Sequence, residues 1–365
     1  MKRAVSSPLA TLGIAIVFAV AAGIWTVVQL REREVARRDQ QEVARMTKDM
    51  KTVCLGRFLI DMPSEAKLGL RGVRVDGLEI ESFEESAADF LTRLALREKR
   101  LKGEPKQLVG TDYLESVTEV NTDNGVVGKI FVHGRNVSEG TRMRGMELER
   151  YRYEGIVVEA MVHGGGVSFE IGANDYDRDL IENLRKLIAR LVPNRANRAP
   201  AGPGFCFDGG WFRDPLTADQ GEEIIMHAQL PSHPDVEFLM ILAAGNRSSS
   251  PGLLERSTQT EANLPAGVKK RVSRLRGAPR TISGISGDEL VRRVIEKDDS
   301  VGYTFWWEVS GLEDNVHIPH VVFKMTTGEG TNAPVPSSLS QDAGMALWDK
   351  ISSSIRPHHS RLPST

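Results

Sequence analysis

The sequence predicts an α+β fold: two related domains, each a mostly antiparallel sheet with about two helices, preceded by an N-terminal hydrophobic helix. Three observations carry that expectation. The chain repeats itself: Cys54-Leu-Gly-Arg-Phe-Leu-Ile-Asp61-Met-Pro63 is echoed by Cys206-Phe-Asp-Gly-Gly-Trp-Phe-Arg-Asp214-Pro215. Cys, glycine, an aromatic, Asp and Pro keep their order in both copies, as a duplicated structural unit would. Each copy then opens a series of strand-like segments that ends on an amphipathic helix. Finally, an uncharged run from Ala4 to Leu30 stands apart from a chain that is 40% apolar and 26% charged, a soluble globular balance.

Residues 1–30 form the first segment. A helix of that length covers ~40 Å, and the hydrocarbon core of a bilayer needs ~30 Å. Ala19-Val20-Ala21 offers a signal-peptide cleavage point. Trp25, Val27, Val28 and Leu30 extend the apolar run past it, which favours an uncleaved anchor in the inner membrane. Basic residues flank both ends, so the positive-inside rule does not fix the orientation. Residues 31–50 are polar, alternate in charge and read as a helical stalk.

The first domain spans residues 51–192. Strand patterns occur at 73–82, 128–133, 143–153 and 156–163, with turns expected at Asn124-Gly125 and Glu154-Gly155. Ala87, Phe90, Leu91 and Leu94 mark one face of a helix. A second helix, 177–192, carries Leu180, Leu184, Leu187, Ile188 and Leu191 as its stripe. Residues 193–204, rich in Pro and Gly, form a linker. The second domain, 205–356, opens with 205–212. Strands follow at 223–230 and 236–243, a short helix at 252–259, strands at 268–275, 287–297, 303–309 and 317–326, and a closing helix at 338–355. Residues 357–365 read as a loose tail.

The 47 basic and 49 acidic residues leave a net charge of −2 and no basic excess for nucleic acid. His163-Gly164-Gly165-Gly166 has the look of an esterase oxyanion loop, but no Gly-x-Ser-x-Gly turn supplies a nucleophile. His317 and His320, three apart on a strand, face opposite ways and make a poor metal pair. Phosphate-cradling and dinucleotide motifs are absent from the sequence. No catalytic residue, cofactor or metal is therefore expected. Three stretches are candidates for contact with a partner. Trp306 alternates out of the core strand 303–309, and a half-exposed Trp is a common interface anchor. Asp208, Gly209, Gly210 and Trp211 form one mobile loop, and Gly164, Gly165 and Gly166 another. The two cysteines, Cys54 and Cys206, are either a disulfide or two buried thiols at matching places.

The stretches Val53–Pro63 and Gly204–Gly210, with Leu230-Pro-Ser-His-Pro-Asp235 after the second, resemble the two-domain immunity proteins of Gram-negative type VI secretion, the Tle cognate immunity proteins of the fourth class. The resemblance runs from Lys51 to Arg356. It implies a protein that binds a cognate lipase effector in the periplasm and blocks it with a two-domain clamp, without a reaction centre of its own. Two rival readings remain at this level: a membrane-anchored lipase or esterase, and an envelope scaffold with no toxin partner.

Overall fold

The computed structural model describes residues 30–31, 33–105, 112–144, 147–214, 221–245, 251–313 and 315–358. The expected membrane helix therefore lies outside the described residues, apart from Leu30. Among those residues no helix is long and apolar enough to cross a membrane.

Residues 33–46 are helical (α1). The first half then runs β1 (Met50–Leu55), β2 (Phe58–Pro63), β3 (Lys67–Val75), β4 (Leu78–Glu84), α2 (Ala87–Gly103), β5 (Leu114–Asn121), β6 (Val127–Arg144), β7 (Glu147–Gly164), β8 (Val167–Tyr176), a 3-10 turn (Arg178–Leu180), α3 (Ile181–Arg190) and β9 (Leu191–Pro193). The second half runs β10 (Gly204–Phe207), β11 (Gly210–Arg213), β12 (Glu222–Leu230), β13 (His233–Ala244), α4 (Leu253–Asn263), α5 (Ala266–Lys269), β14 (Val272–Ile282), β15 (Ile285–Ile295), β16 (Val301–Val309), β17 (His320–Thr327), α6 (Gln341–Ser352) and β18 (Arg356–Pro357).

Period-two burial makes the strands. In β12, Glu222, Ile224, Met226, Ala228 and Leu230 are buried, while Glu223, Ile225, His227 and Gln229 are not. The helices start where a side chain can take a free backbone N–H. Ser86 accepts from the Asp89 amide at α2, and Ser340 from the Ala343 amide at α6. Of the α2 stripe, Phe90 and Leu94 are buried with Leu101 against Phe131 and Met161. Leu91 is 59% exposed, because only a narrow ridge of α2 meets the sheet. Leu184, Leu187, Ile188 and Leu191 are buried as expected, while Leu180 sits in the 3-10 turn and stays exposed.

Twelve strands form one antiparallel sheet in the order β14-β15-β16-β17-β13-β12-β3-β4-β8-β7-β6-β5. Each half supplies six neighbouring strands, and the half-sheets join edge to edge where β3 pairs β12. Read outward from that joint, β3-β4-β8-β7-β6-β5 and β12-β13-β17-β16-β15-β14 trace the same path in chain order. The two small sheets are shared between halves. The last strand of the first half, β9, pairs β11, and the last strand of the second, β18, pairs β2. One apolar core runs through both halves, from Phe58 and Phe169 to Trp307 and Trp348.

Several expectations change. The expected strand 143–153 straddles a chain reversal, since β6 ends at Arg144 and β7 begins at Glu147. Glu154-Gly155 is not a turn: Gly155 pairs Asn136 inside the β6–β7 ladder. Its glycine is needed for close approach, because a Cβ there would lie 2.7 Å from the Asp175 Cα. The segment 268–275 is a short helix, then β14 from Val272. The stalk is not free either. Met46 is buried and Val43 packs on the core, Glu42 meets His233 at 2.9 Å, and the Ser340 hydroxyl donates to Asp39 at 2.7 Å. The first two residues of the expected loose tail are fixed. Pro357 pairs Phe58, and buried His358 donates its amide to the Arg57 carbonyl at 2.7 Å. Residues 359–365 lie outside the described residues.

Candidate protein-interaction surface

The echoed motifs form the joint of the molecule. The hairpins β1–β2 and β10–β11 face each other, which brings Cys54 and Cys206 to a Cα separation of 5.7 Å and joins them in a disulfide across 152 residues. Gly56 and Cys206 exchange both backbone hydrogen bonds at 2.8 Å. Gly56 has φ +53, and a Cβ there would press on Leu242, Ile224 and Phe205 from 3.1–3.3 Å. His358 completes a cluster with the two sulfurs, but the bridge consumes both thiolates, so no metal site results.

Beside the bridge, the buried Arg57 guanidinium donates to Glu222 at 2.7 and 2.8 Å and to both Asp214 oxygens at 3.0 Å. Burial pushes the Glu222 carboxyl up against the opposing pull of Arg57. For Arg57, burial works to lower the pKa, and the two carboxylates overcome it and raise it. An N-half cation thus neutralises two C-half anions where the half-sheets meet. Arg57 lies inside the first motif, but nothing local in the sequence marks it as buried.

The two predicted loops come together at one end. Gly164 ends β7, and Gly165 (φ +58) and Gly166 (φ +80) make the turn to β8. Against this turn lies Pro193, whose ring a Cβ on Gly164 would meet at 2.9 Å. The next residue, Asn194, donates its amide to the Gly209 carbonyl at 2.7 Å. Neither loop is free. The Asp208 carboxylate accepts from Asn197 at 2.6 Å and its carbonyl from the Ser82 hydroxyl at 2.6 Å. Gly164, Gly209 and Gly210 are buried, Trp211 and Gly166 half-buried, and Asp208 and Gly165 exposed. Gly210 has a packing reason: a Cβ would sit 2.8 Å from the buried Phe169 ring. Gly210→Ala is expected to cost about 1–3 kcal/mol of stability in a denaturant titration; an unchanged midpoint would remove this packing account.

Trp306 is not part of that end, because five strands separate β16 from β8 in the sheet. It is half-buried on the sheet face opposite Trp307, between Leu290 and Lys324. The Lys324 ammonium lies 3.5 Å from its ring centroid. Burial pushes the Lys324 pKa down.

Two of the clefts on the described surface flank these elements. One, of about 600 Å³, runs beneath α2 and is lined by Arg74, Glu79, Glu81, Arg97, Glu159 and Glu170 among others. Burial works to raise the Glu159 carboxyl, but hydrogen bonds from His133 and Arg97 outweigh it and hold it below the usual range. Glu308, in the C-half, follows the same pattern with His320 and Arg256. The other cleft, of about 560 Å³, is more apolar, with Phe58, Ile285, Val309, Leu312 and Ile318 in its walls.

A Ser–His contact does exist, outside both clefts. The His163 Nδ1 lies 3.1 Å from the Ser168 hydroxyl, which donates to Glu85 at 2.5 Å. The order is wrong for a hydrolase. The carboxylate takes the serine proton directly and does not orient the imidazole, and Ser168 is fully buried. The His163 ring stacks on Phe90 at 5.2 Å, so this network fastens α2 to β7 and β8.

These ionisations set an acid limit. Glu159 and Glu308 are lowered in the fold, so their stabilisation is present above the unfolded carboxyl range near ~4.3 and is lost as pH falls below it. Burial pushes His227 and His317 down, so folding favours neutral rings and weakens as pH falls below ~6.5. The melting temperature is expected to drop steadily from about pH 6.5 to pH 3; a flat profile over that window would contradict these assignments.

Comparison with known proteins agrees with this architecture. Residues 51–174 match the family model "Tle cognate immunity protein 4 N-terminal domain", and residues 198–360 match "Tle cognate immunity protein 4 C-terminal domain". No curated protein matches the sequence. Among solved structures, the Tle4–Tli4 complex contains a similar chain, with TM-score 0.69 and 22% identity over 85% of this chain and 97% of that one. The immunity protein TplEi of the T6SS from Pseudomonas aeruginosa, complexed with "L" peptide, is similar with TM-score 0.66 and 22% identity, over 85% of this chain and 99% of that one. Apo TplEi from the same organism gives TM-score 0.67 at 22% identity, over 85% and 97% of the two chains. With both family domains matched in order across most of its length, the chain belongs to the Tle cognate immunity protein 4 family.

Proposed function

We propose that the chain is an immunity protein that binds a cognate phospholipase effector of type VI secretion and blocks it by covering its surface. One observation carries this reading: both family domains are locked into a single body by a shared sheet, exchanged end strands and a disulfide. Such a body suits a rigid clamp, which loses little conformational freedom on binding. Membership of an immunity family also makes it a binder of an effector and not an enzyme. The fold of the solved Tle4–Tli4 complex supports a protein partner. The matching order of the two half-sheets supports reading the chain as a duplicated unit.

The disulfide supports action in an oxidising compartment, here the periplasm. Residues 4–30 would hold the body at the inner membrane if they are not cleaved. Trp306 is a contact residue in this reading, with the exposed edges of the 164–166 and 208–211 turns as further contacts. Trp306→Ala is expected to weaken effector binding tenfold or more, as loss of an anchoring Trp does; unchanged affinity would remove it from the interface. The function itself is tested by co-purification with a Tle4-class lipase effector expressed together with the chain. A tight pair supports it, and two separate peaks would reject it.

A further inference from the structure

The hairpin β6–β7 is far longer than the fold needs. Each of its strands has 18 residues, whereas the matching strands of the second half, β15 and β16, have 11 and 9. Pairing with β5 stops at His133, and pairing with β8 stops at Ile156. Beyond these points the ladder continues from Asn136↔Gly155 to Arg144↔Glu147, and among the described residues no strand pairs with it on either side. Nine such pairs make a two-stranded arm that projects ~30 Å. A bare ribbon of this kind is marginal in water and normally has polar faces.

This arm carries an exposed apolar pair near its far end. Met143 and Leu148, paired one step inside the last described pair Arg144↔Glu147, are 63% and 69% exposed. Val137 lies on the same face near the base. On the other face stand Tyr151 and Tyr153. The Tyr151 ring lies over Gly140, where a Cβ would meet its ring carbons at 3.2 Å, and the Tyr153 hydroxyl donates to the Asp175 carbonyl. Both rings are thereby pre-set and still at least 36% exposed. Tyr and Met are enriched in protein interfaces, and a ring fixed beforehand loses little entropy on binding.

Charge decides the occupant. Residues 135–154 carry five Arg and four Glu. Arg142 pairs Glu149 at 3.2 Å and Arg152 pairs Glu154 at 2.8 Å. An anionic bilayer or a nucleic acid would require a basic excess that this arm lacks. A second copy is also disfavoured, because the arm's edges are studded with charge, a feature that blocks edge-to-edge pairing. A nearly neutral ribbon with an apolar tip complements an apolar crevice rimmed by mixed charge. We propose that the β6–β7 arm is a docking element that inserts Met143 and Leu148 into such a crevice on the effector, with Tyr151 and Tyr153 along its wall. This rests on the immunity reading above.

The test uses the full chain and a purified Tle4-class lipase effector. The double variant M143S/L148S is expected to keep the wild-type melting temperature, since both side chains already face solvent, and to bind the lipase at least tenfold more weakly. Met143→Leu should retain affinity. In the wild-type complex, backbone amides of 136–144 and 147–155 should gain protection from hydrogen exchange. Wild-type affinity in the double variant, or an arm that stays unprotected, would overturn the proposal and leave the immunity function standing. If the wild-type chain does not bind the lipase at all, both fall. Tip-dependent binding to anionic phospholipid vesicles, or a tip-dependent dimer in light scattering, would overturn it in favour of a membrane or a second copy.

Discussion

Reducing the Cys54–Cys206 bridge, or replacing either cysteine with Ala, is expected to lower stability by several kcal/mol. The bridge closes a loop across 152 residues. In the chain-entropy account such a closure restricts the unfolded chain by about 5 kcal/mol, and measured losses are about 2–5 kcal/mol. The bridge also pins the turn where Gly56 pairs with Cys206, so its loss frees both hairpins at once. Denaturant unfolding of the chain with and without a reductant measures the effect. A midpoint that does not move on reduction would mean that the exchanged strands and the shared sheet hold the halves together unaided.

Arg57→Met is expected to be as damaging, for a different reason. It leaves the Glu222 carboxylate buried without the cation that balances it. Breaking a buried ion pair from one side costs about 3–5 kcal/mol, whereas replacing both partners with apolar groups is often neutral. The double variant R57M/E222M should therefore recover a large part of the loss. Asp214, only partly buried, can turn towards water in both variants. If the single variant is as stable as wild type, the cluster is not what fastens the joint. If the double variant is no better than the single, the loss comes from packing and not from unpaired charge.

Much of this fold was written locally. The period-two burial of Ile224 to Leu230 and of Tyr303 to Trp307, and the apolar stripes of the closing helices, follow from side-chain direction alone. What was hidden is partner choice over long distances. Nothing in the composition of β3 or β12 says that they pair with each other and fuse two half-sheets. The exchanged strands β9 and β18 have three and two residues, each with a proline, too short to carry a pattern. The Gly in Glu154-Gly155 was read as a turn, but it serves a close backbone approach that only the folded chain reveals.

The site divides in the same way. The positions of Cys54 and Cys206 were plain, yet their proximity depends on two hairpins meeting face to face. Arg57 sits in a hairpin turn, where an arginine normally faces water, and its partners lie 157 and 165 residues away. Gly209 and Gly210 drew attention as a free loop, whereas their lack of side chains lets the turn nest against Val167 and Phe169. The arm of β6–β7 was obscured because its sequence mixes Arg and Glu with Tyr and Met, and carries no clean strand alternation.

In this reading the chain works by association alone, as one rigid two-domain body. The most direct measurement adds the purified chain in increments to a Tle4-class lipase effector while phospholipid hydrolysis is followed. The predicted result is a linear loss of hydrolysis that reaches completion at one chain per lipase, with none released by the chain alone. Hydrolysis that continues unchanged at a several-fold excess, or phospholipid cleavage by the chain itself, would contradict it.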